Sequence, residues 1–309
     1  MQSKIYKYLG ADVLEVALSK SGFCSFKCSY PKDFNDPYEL FLTIDYAQDP
    51  DLLATYKDTI GELPQLPTTC FSKSPSVVPM WAHYSHNHRG VVVEFNENLF
   101  SEYFPEVSFG DVDYRDDAPE GLLELLMRAC RIRKPRYHFL LQQAVLSAAY
   151  YTKHSYWAYE QERRLVARDQ DIKKTNGIML IEFPVECISA IIVGLRADDQ
   201  TKNQVFKLSE DMDAEYYEMS ISKTSAIPYF VNSEKSVFRY ESGSISMCEY
   251  TCEECGEPLS GQSASCSLCA IKSHHKLEAA MNNPLRILER YGMLDGYYKE
   301  MQAISRDKN

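Results

Sequence analysis

Two sets of residues in this chain have types and spacings that could do chemistry. Cys252, Cys255, Cys266 and Cys269 form two CxxC pairs ten residues apart. Four thiolates at this spacing can close a tetrahedron around zinc and leave no open coordination position, so the predicted site is structural. Three glutamates and no lysine or arginine lie between Cys252 and Cys269, a poor setting for phosphate. The second set begins with Glu160-Gln161-Glu162. Carboxylates two residues apart on a strand share a face, so both can work on one substrate, one stabilising positive charge and the other moving a proton.

Two further stretches could complete a site around those carboxylates. Between Thr68 and Phe95, Phe71-Ser72 close a predicted strand and Trp81, His83 and Tyr84 fall in an aromatic helical turn before the strand Val91–Phe95. Aromatic and polar groups between apolar strands suit a ligand cleft. On the first predicted strand, Tyr6, Lys7 and Tyr8 add hydroxyls and a cation. Each has a plainer reading: packing tyrosines, a core helical face for Trp81 and Tyr84, and a solvated charge run for glutamates beside Arg163 and Arg164. His83, His86 and His88 cannot share one helical face, so no second metal site is predicted. Asn35-Asp36 read equally as turn formers or ligand contacts.

The elements that must position these groups follow from periodicity. Alternation predicts strands over Lys4–Leu9, Phe23–Cys28 and Val107–Tyr114, and compact apolar runs with branched residues predict strands over Ile178–Pro184 and Ile188–Gly194. Ala214–Ser222 reads as a last strand, and an aromatic turn enters a strand in Tyr156–Ala167. Helical spacing predicts helices over Ala11–Ser19, within Asp45–Leu63, over Pro119–Lys153 with a break at Pro135, and over Asp199–Met212. A helical tail, His275–Ser305, is broken at Asn282-Asn283-Pro284. Strands with few, irregularly placed helices imply an α+β domain over residues 1–230. Polar, serine-rich residues 231–249 read as a linker, 250–272 as a four-cysteine zinc ribbon and 273–309 as the tail.

At 309 residues and 45% hydrophobic, the chain can bury a sizeable core. A net charge of -11 argues against a globally nucleic-acid-binding surface. Arg128–Tyr137 is locally basic with an interleaved aromatic and suits a single strand of RNA or DNA, against the plainer reading of a solvated helix end. The start MQSKIYKYLG has no signal-peptide pattern and no apolar run approaches about 20 residues, so no membrane partner is expected. The six remaining cysteines are scattered like reduced thiols, and the expected location is cytoplasmic.

The blocks FNDPYE, MWAHYSHNHRGVVVEF and WAYEQERRLV, in that order, resemble a bacterial family described as a domain of unknown function. The resemblance covers Lys4 to Gly194. More distantly, the same order resembles the ADP-ribosyltransferase fold, which implies a split sheet with peripheral helices and NAD as substrate. On that resemblance KIYKY is the first motif, without its usual central histidine or arginine, and CFSKSPSVVPMWAHYS is the second. Tyr6, Lys7, Tyr8, Phe71, Ser72, Trp81, His83 and Tyr84 then bind NAD, with Trp81 and Tyr84 as a nicotinamide wall. Glu162 binds the ribose and Glu160 aligns or deprotonates the acceptor. Lys7, Lys73 and Arg89 are candidates for the pyrophosphate.

The resemblance further implies a toxin of a bacterial toxin–antitoxin or anti-phage module, modifying RNA, DNA or protein, with an antitoxin docking on the zinc ribbon and tail. Two alternatives stand beside it: a non-catalytic nucleotide-sensing module, and a metal-dependent nuclease using the acidic and histidine residues.

Overall fold

A computed structural model describes residues 3–18, 22–104 and 107–306. The chain forms two compact units, one of Met1–Ile221 with Ile227–Met247, the other of Ser222–Ala226 with Cys248–Asn309.

The first unit is mixed α+β. Along the chain come β1 (Lys4–Leu9), α1 (Ala11–Leu18), β2 (Phe23–Cys28), α2 (Pro50–Ile60), β3 (Thr68–Ser72), α3 (Val78–Tyr84), β4 (Val91–Asn96) and α4 (Glu97–Tyr103). Next are β5 (Ser108–Asp111), β6 (Asp113–Arg115), α5 (Leu122–Ile132), α6 (Pro135–Tyr151), β7 (Thr152–His154) and β8 (Glu162–Val166). The remainder is β9 (Lys173–Thr175), β10 (Ile178–Pro184), β11 (Ile188–Val193), α7 (Asp199–Asp211), β12 (Glu215–Ile221), β13 (Pro228–Val231), β14 (Val237–Glu241) and β15 (Ser244–Met247).

Ten strands make one sheet in the order β15-β14-β13-β12-β11-β4-β1-β3-β8-β5. Its pairs are antiparallel except β11 with β12, where α7 supplies the crossover that a parallel pair requires. Valine and isoleucine fill the centre: Val91, Val92, Val93, Ile191, Ile192 and Val193 are all 0% exposed, as expected of strands covered on both faces. One face packs on Phe26, Phe95, Phe100 and Phe183, the other on Tyr6, Tyr8, Trp81 and Phe230. A three-stranded sheet, β2-β10-β9, stands beside the first, and α2, α5 and α6 close on a third apolar cluster around Leu126, Leu141 and Val145.

The point that matters for a site is the junction of β1 and β3. β1 is registered with β4 over its whole length, yet its ladder with β3 is confined to Tyr6 opposite Ser72. β3 is instead fully paired with β8, and its far end bridges Ser29, just past β2. The sheet is continuous here through one residue pair, and a gap opens beside it. Gly90 sets the other end of this region, because a Cβ there would lie 2.0 Å from the Leu9 carbonyl oxygen.

Two sequence expectations change. The stretch read as a linker, 231–249, holds β14 and β15 at one end of the sheet. An edge strand with a solvated face needs polar residues, which is why Ser244–Met247 reads as a hinge. Val107–Tyr114 is two short strands, β5 and β6, which belong to different sheets.

The second unit begins in the segment Ser222–Ala226 and resumes at Cys248. Glu257, 1% exposed, accepts hydrogen bonds from Ser222 Oγ at 2.6 Å, Lys223 N at 2.7 Å and Thr224 Oγ1 at 3.1 Å, which ties the two parts together. Three helices follow, α8 (Ser273–Met281), α9 (Pro284–Arg290) and α10 (Leu294–Arg306). The expected break lies between α8 and α9, where Asn283 caps the new helix by accepting from Leu285 N at 3.0 Å. Among the described residues no helix is long and apolar enough to cross a membrane.

Candidate functional site

The gap between β1 and β3 is a cavity of about 330 Å3. Lys7 and Thr69 alternate to one face of the sheet while Cys70, Ser72 and Glu162 alternate to the other, and the cavity draws on both sets. Lys27, Ser29 and the loop residues Asp33, Phe34 and Asn35 wall one side. Tyr84, Lys153, Glu160 and Glu162 supply most of the remaining polar wall.

Beneath that wall lies a buried ionic cluster. Glu162 accepts from Arg164 Nε at 2.9 Å and from Lys153 Nζ at 3.4 Å, and its backbone N–H donates to Tyr114 Oη at 2.7 Å. Glu160 takes Lys153 Nζ at 2.8 Å on one oxygen and Tyr84 Oη at 2.5 Å on the other. Arg164 turns its remaining nitrogens on Glu39, at 2.8 and 3.0 Å, and Lys153 also reaches Glu39 at 3.4 Å. Arg164 is 0% exposed and the three carboxylates are nearly as deep.

Three carboxylates meet two cations, so the cluster carries one surplus negative charge when all are ionised. Burial alone would raise the pKa of Glu162, but Arg164 and Lys153 more than offset it and hold the carboxyl at about 2. Burial would likewise lower Lys153, yet the facing carboxylates raise it above its ordinary value. Glu39 goes the other way, since burial raises it more than Arg164 and Lys153 lower it. Burial, then the Glu160 charge, pushes the Tyr84 hydroxyl up, so it stays a hydrogen-bond donor at neutral pH.

Lys7, like Lys27 and Lys153, is a cation at the cavity. Its Nζ donates to Thr69 Oγ1 at 2.8 Å and to the Cys70 carbonyl at 2.7 Å, bridging the gap where β1 leaves β3. Burial lowers its pKa.

The expected site residues sort clearly. Glu160, Glu162, Tyr84, Lys7, Phe71 and Ser72 come together at the cavity. Tyr6 and Tyr8 also touch it, but their hydroxyls are engaged, with Glu94 and with the Ser74 carbonyl, both at 2.9 Å. Trp81 does not join them. It is 0% exposed, packs edge-on to Tyr8 and donates Nε1 to the Pro75 carbonyl at 2.7 Å, so it is core rather than a ligand wall. His83 is exposed, beside Tyr84 and Tyr159 and outside the cavity lining. Lys73 and Arg89 are also outside that lining.

Glu160 and Glu162 converge by a route other than strand alternation. Glu160 ends a 3-10 turn, Ser155–Glu160, and Gln161 takes a left-handed conformation (φ 45) before β8 begins. Glu39, Lys153, Arg164, Tyr114 and Phe34 were missed. Their only sequence signal was the charged end of FNDPYE and the second arginine of the ERR run. In the FNDP loop, Asn35 lines the cavity, whereas Asp36 makes a turn by accepting from Tyr38 N at 2.9 Å.

Residues 80–165 match the model of a family described as a protein of unknown function, DUF2971. The match runs from Met80 in α3 to Leu165 in β8, and so contains Tyr84, Lys153, Glu160, Glu162 and Arg164 but neither Lys7 nor Glu39. No curated protein and no solved structure matches the chain.

The four cysteines of the second unit form a separate centre. Their sulfurs all lie within 4.8 Å of one another, and Cys255 Sγ is 3.9 Å from Cys266 Sγ. A zinc tetrathiolate with bonds of about 2.3 Å places its sulfurs roughly 3.8 Å apart, so the four can hold such an ion with little movement. Cys266 N–H donates to Cys252 Sγ at 3.3 Å and Cys269 N–H to Cys266 Sγ at 3.4 Å, contacts that orient sulfur ligands. Among the described residues it is the one group of three or more cysteine, histidine and acidic side chains so placed.

Proposed function

We propose that the first unit is an NAD-dependent ADP-ribosyltransferase working at the β1–β3 cavity, on a macromolecular acceptor. The observation that carries this reading is the pairing of Glu160 and Glu162 through one lysine at the wall of a cavity that Tyr84 also lines. Cleaving the nicotinamide–ribose bond develops positive charge on C1′, and a buried cluster with one surplus negative charge stabilises it.

In this reading Glu162, kept ionised by Arg164 and Lys153, accepts the ribose hydroxyl and orients C1′. Tyr84 forms the nicotinamide platform. The acceptor's electron pair bonds to C1′, the C1′–N bond breaks with its pair leaving on nicotinamide, and the acceptor proton passes to Glu160. The cavity sits at the small end of the roughly 300–1,000 Å3 range of ligand pockets. It has room for nicotinamide and its ribose, with the rest of the dinucleotide outside it. The gap in the sheet between β1 and β3 supports the same reading, because that fold binds NAD where its sheet splits.

Such an activity would harm its own cell, so a toxin role with a neutralising partner goes with it. Exposed Leu277, Met281, Ile287, Tyr291, Met301 and Ile304 on α8–α10 offer apolar contacts for an antitoxin. The test is incubation with labelled NAD and, separately, RNA, DNA and cell lysate. Label transferred by the wild type but not by Glu162→Gln is expected, whereas metal-stimulated strand cleavage without NAD would contradict the proposal.

A further inference from the structure

A basic tip stands at the turn between α5 and α6. α5 stops because Arg133 takes a left-handed conformation (φ 54) and its N–H bonds the Ala129 carbonyl. Lys134 then leads into Pro135, the first residue of α6. The turn leaves Arg128, Arg131, Arg133, Lys134 and Arg136 all exposed. Arg128 pairs with Glu124, but among the described residues no carboxylate pairs with the other four. On a protein with a net charge of -11, five cations within nine residues of chain form a local field opposite in sign to the whole. Tyr137 stacks on Arg136 at 4.7 Å, and Phe139, two residues further on, is 59% exposed.

The other end of α6 reaches the proposed reaction site. The helix has 17 residues, a length of about 25 Å, and ends at Tyr151, two residues before Lys153 of the ionic cluster. Around that end runs a row of rings. Tyr84 lies 6.3 Å from His83, His83 lies 6.4 Å from Tyr159, and Tyr159 lies 6.3 Å from Trp157. Beside them Tyr156, 81% exposed, rests 4.1 Å from the His154 ring. No core packing requires a tyrosine so exposed, and the row begins at Tyr84, which touches Glu160.

We infer that the acceptor is a single-stranded nucleic acid, its phosphates held by Arg131, Arg133, Lys134 and Arg136 and an unpaired base stacked on Tyr156 or its neighbours beside Glu160. Cations that track a backbone, followed by rings that take bases, are what strand binding without sequence preference needs. An unpaired base also exposes the N–H groups that a paired one hides. One of these, or a sugar hydroxyl, forms the new bond to C1′ of the nicotinamide ribose. Nicotinamide departs with the electrons of the broken bond, and the proton goes to Glu160. The chemistry rests on the proposed function, but the docking surface does not.

The experiment measures anisotropy of labelled oligo(U) and oligo(dT) with the full-length protein as salt is varied, alongside nicotinamide release from NAD. Each single-strand phosphate contact contributes a slope of about 0.7 in log affinity against log salt. The double variant Arg131→Ala/Lys134→Ala should therefore lower the slope by about 1.4 and weaken binding about 25-fold at 0.1 M salt. Basal nicotinamide release should be unchanged. Tyr156→Ala should weaken binding about tenfold with the slope kept, since it removes stacking and no charge.

Absence of oligonucleotide binding at low salt would overturn the inference. So would binding that the double variant leaves intact, or capture of phosphatidylserine vesicles or polyglutamate in place of either oligonucleotide. Failure of docking with NAD turnover intact leaves the proposed function standing. Docking without any NAD turnover sinks the proposed function alone.

Discussion

The four-cysteine centre, half-buried at Cys255 and Cys269, and the buried ionic cluster are both constellations of charge-bearing groups, built on opposite principles. The four cysteines lie within 18 residues of chain and were legible from spacing alone. The ionic cluster is assembled from Glu39, Lys153, Glu160, Glu162 and Arg164, with Arg164 and Glu39 125 residues apart. Closed around zinc, the four thiolates would leave no open coordination position, the arrangement of a structural site. The cluster leaves one charge in excess beside a cavity, an electrostatic arrangement that favours a site rather than a scaffold.

Removing metal is the harshest test of that contrast. Structural zinc is worth about 10–16 kcal/mol in isolated modules. A chelator should abolish amide protection across 248–272 while β4 and β11 keep theirs, measured by hydrogen exchange. Equal loss in both would break the contrast.

Arg164→Met comes next. It leaves Glu39 and Glu162 buried with Lys153 as their remaining cation, and should cost about 3–5 kcal/mol in urea unfolding of the first unit. A loss under about 1 kcal/mol, the scale of a surface pair, would show that the cluster is not dry.

The pH dependence sharpens the same point. Glu162 is held at about 2 against an ordinary 4.5, so its contribution is full above about pH 4.5 and lost as pH falls toward 2. The amount is about 3 kcal/mol. Glu39, with its raised pKa, subtracts from it on acidification. Glu162→Gln should flatten stability in that window, and an unchanged acid limb would contradict the assignment.

The smallest effect separates two neighbouring aromatics. Trp81→Phe strands the Pro75 carbonyl and should cost about 1–3 kcal/mol with NAD affinity unchanged. Tyr84→Ala should raise the KM for NAD while stability changes less than the affinity does.

What the sequence made legible was local. Alternation located β1 and β2, and a compact apolar run located β10, at their observed bounds because each pattern is complete within six or seven residues. The aromatic MWAHY turn was rightly read as a helix, but periodicity cannot say which ring faces a ligand. Trp81 and Tyr84 share a helical face, yet Trp81 is core and Tyr84 lines the cavity. Glu39 and Lys153 were invisible as partners because pairing depends on tertiary closure. The gap between β1 and β3 was likewise beyond reach, since register is a property of two strands. Ser244–Met247 was misread because an edge strand and a linker share a polar composition.

The central claim is that the ionic cluster's surplus negative charge does chemistry on NAD. Release of nicotinamide by wild type and Glu162→Gln, each with single-stranded RNA or DNA, tests it most directly. The variant balances two carboxylates against two cations, so it should fold, which a thermal melt verifies. A fall of about 100-fold or more in nicotinamide release is predicted. Equal rates for the two proteins, or no nicotinamide from the wild type with any acceptor, would contradict it.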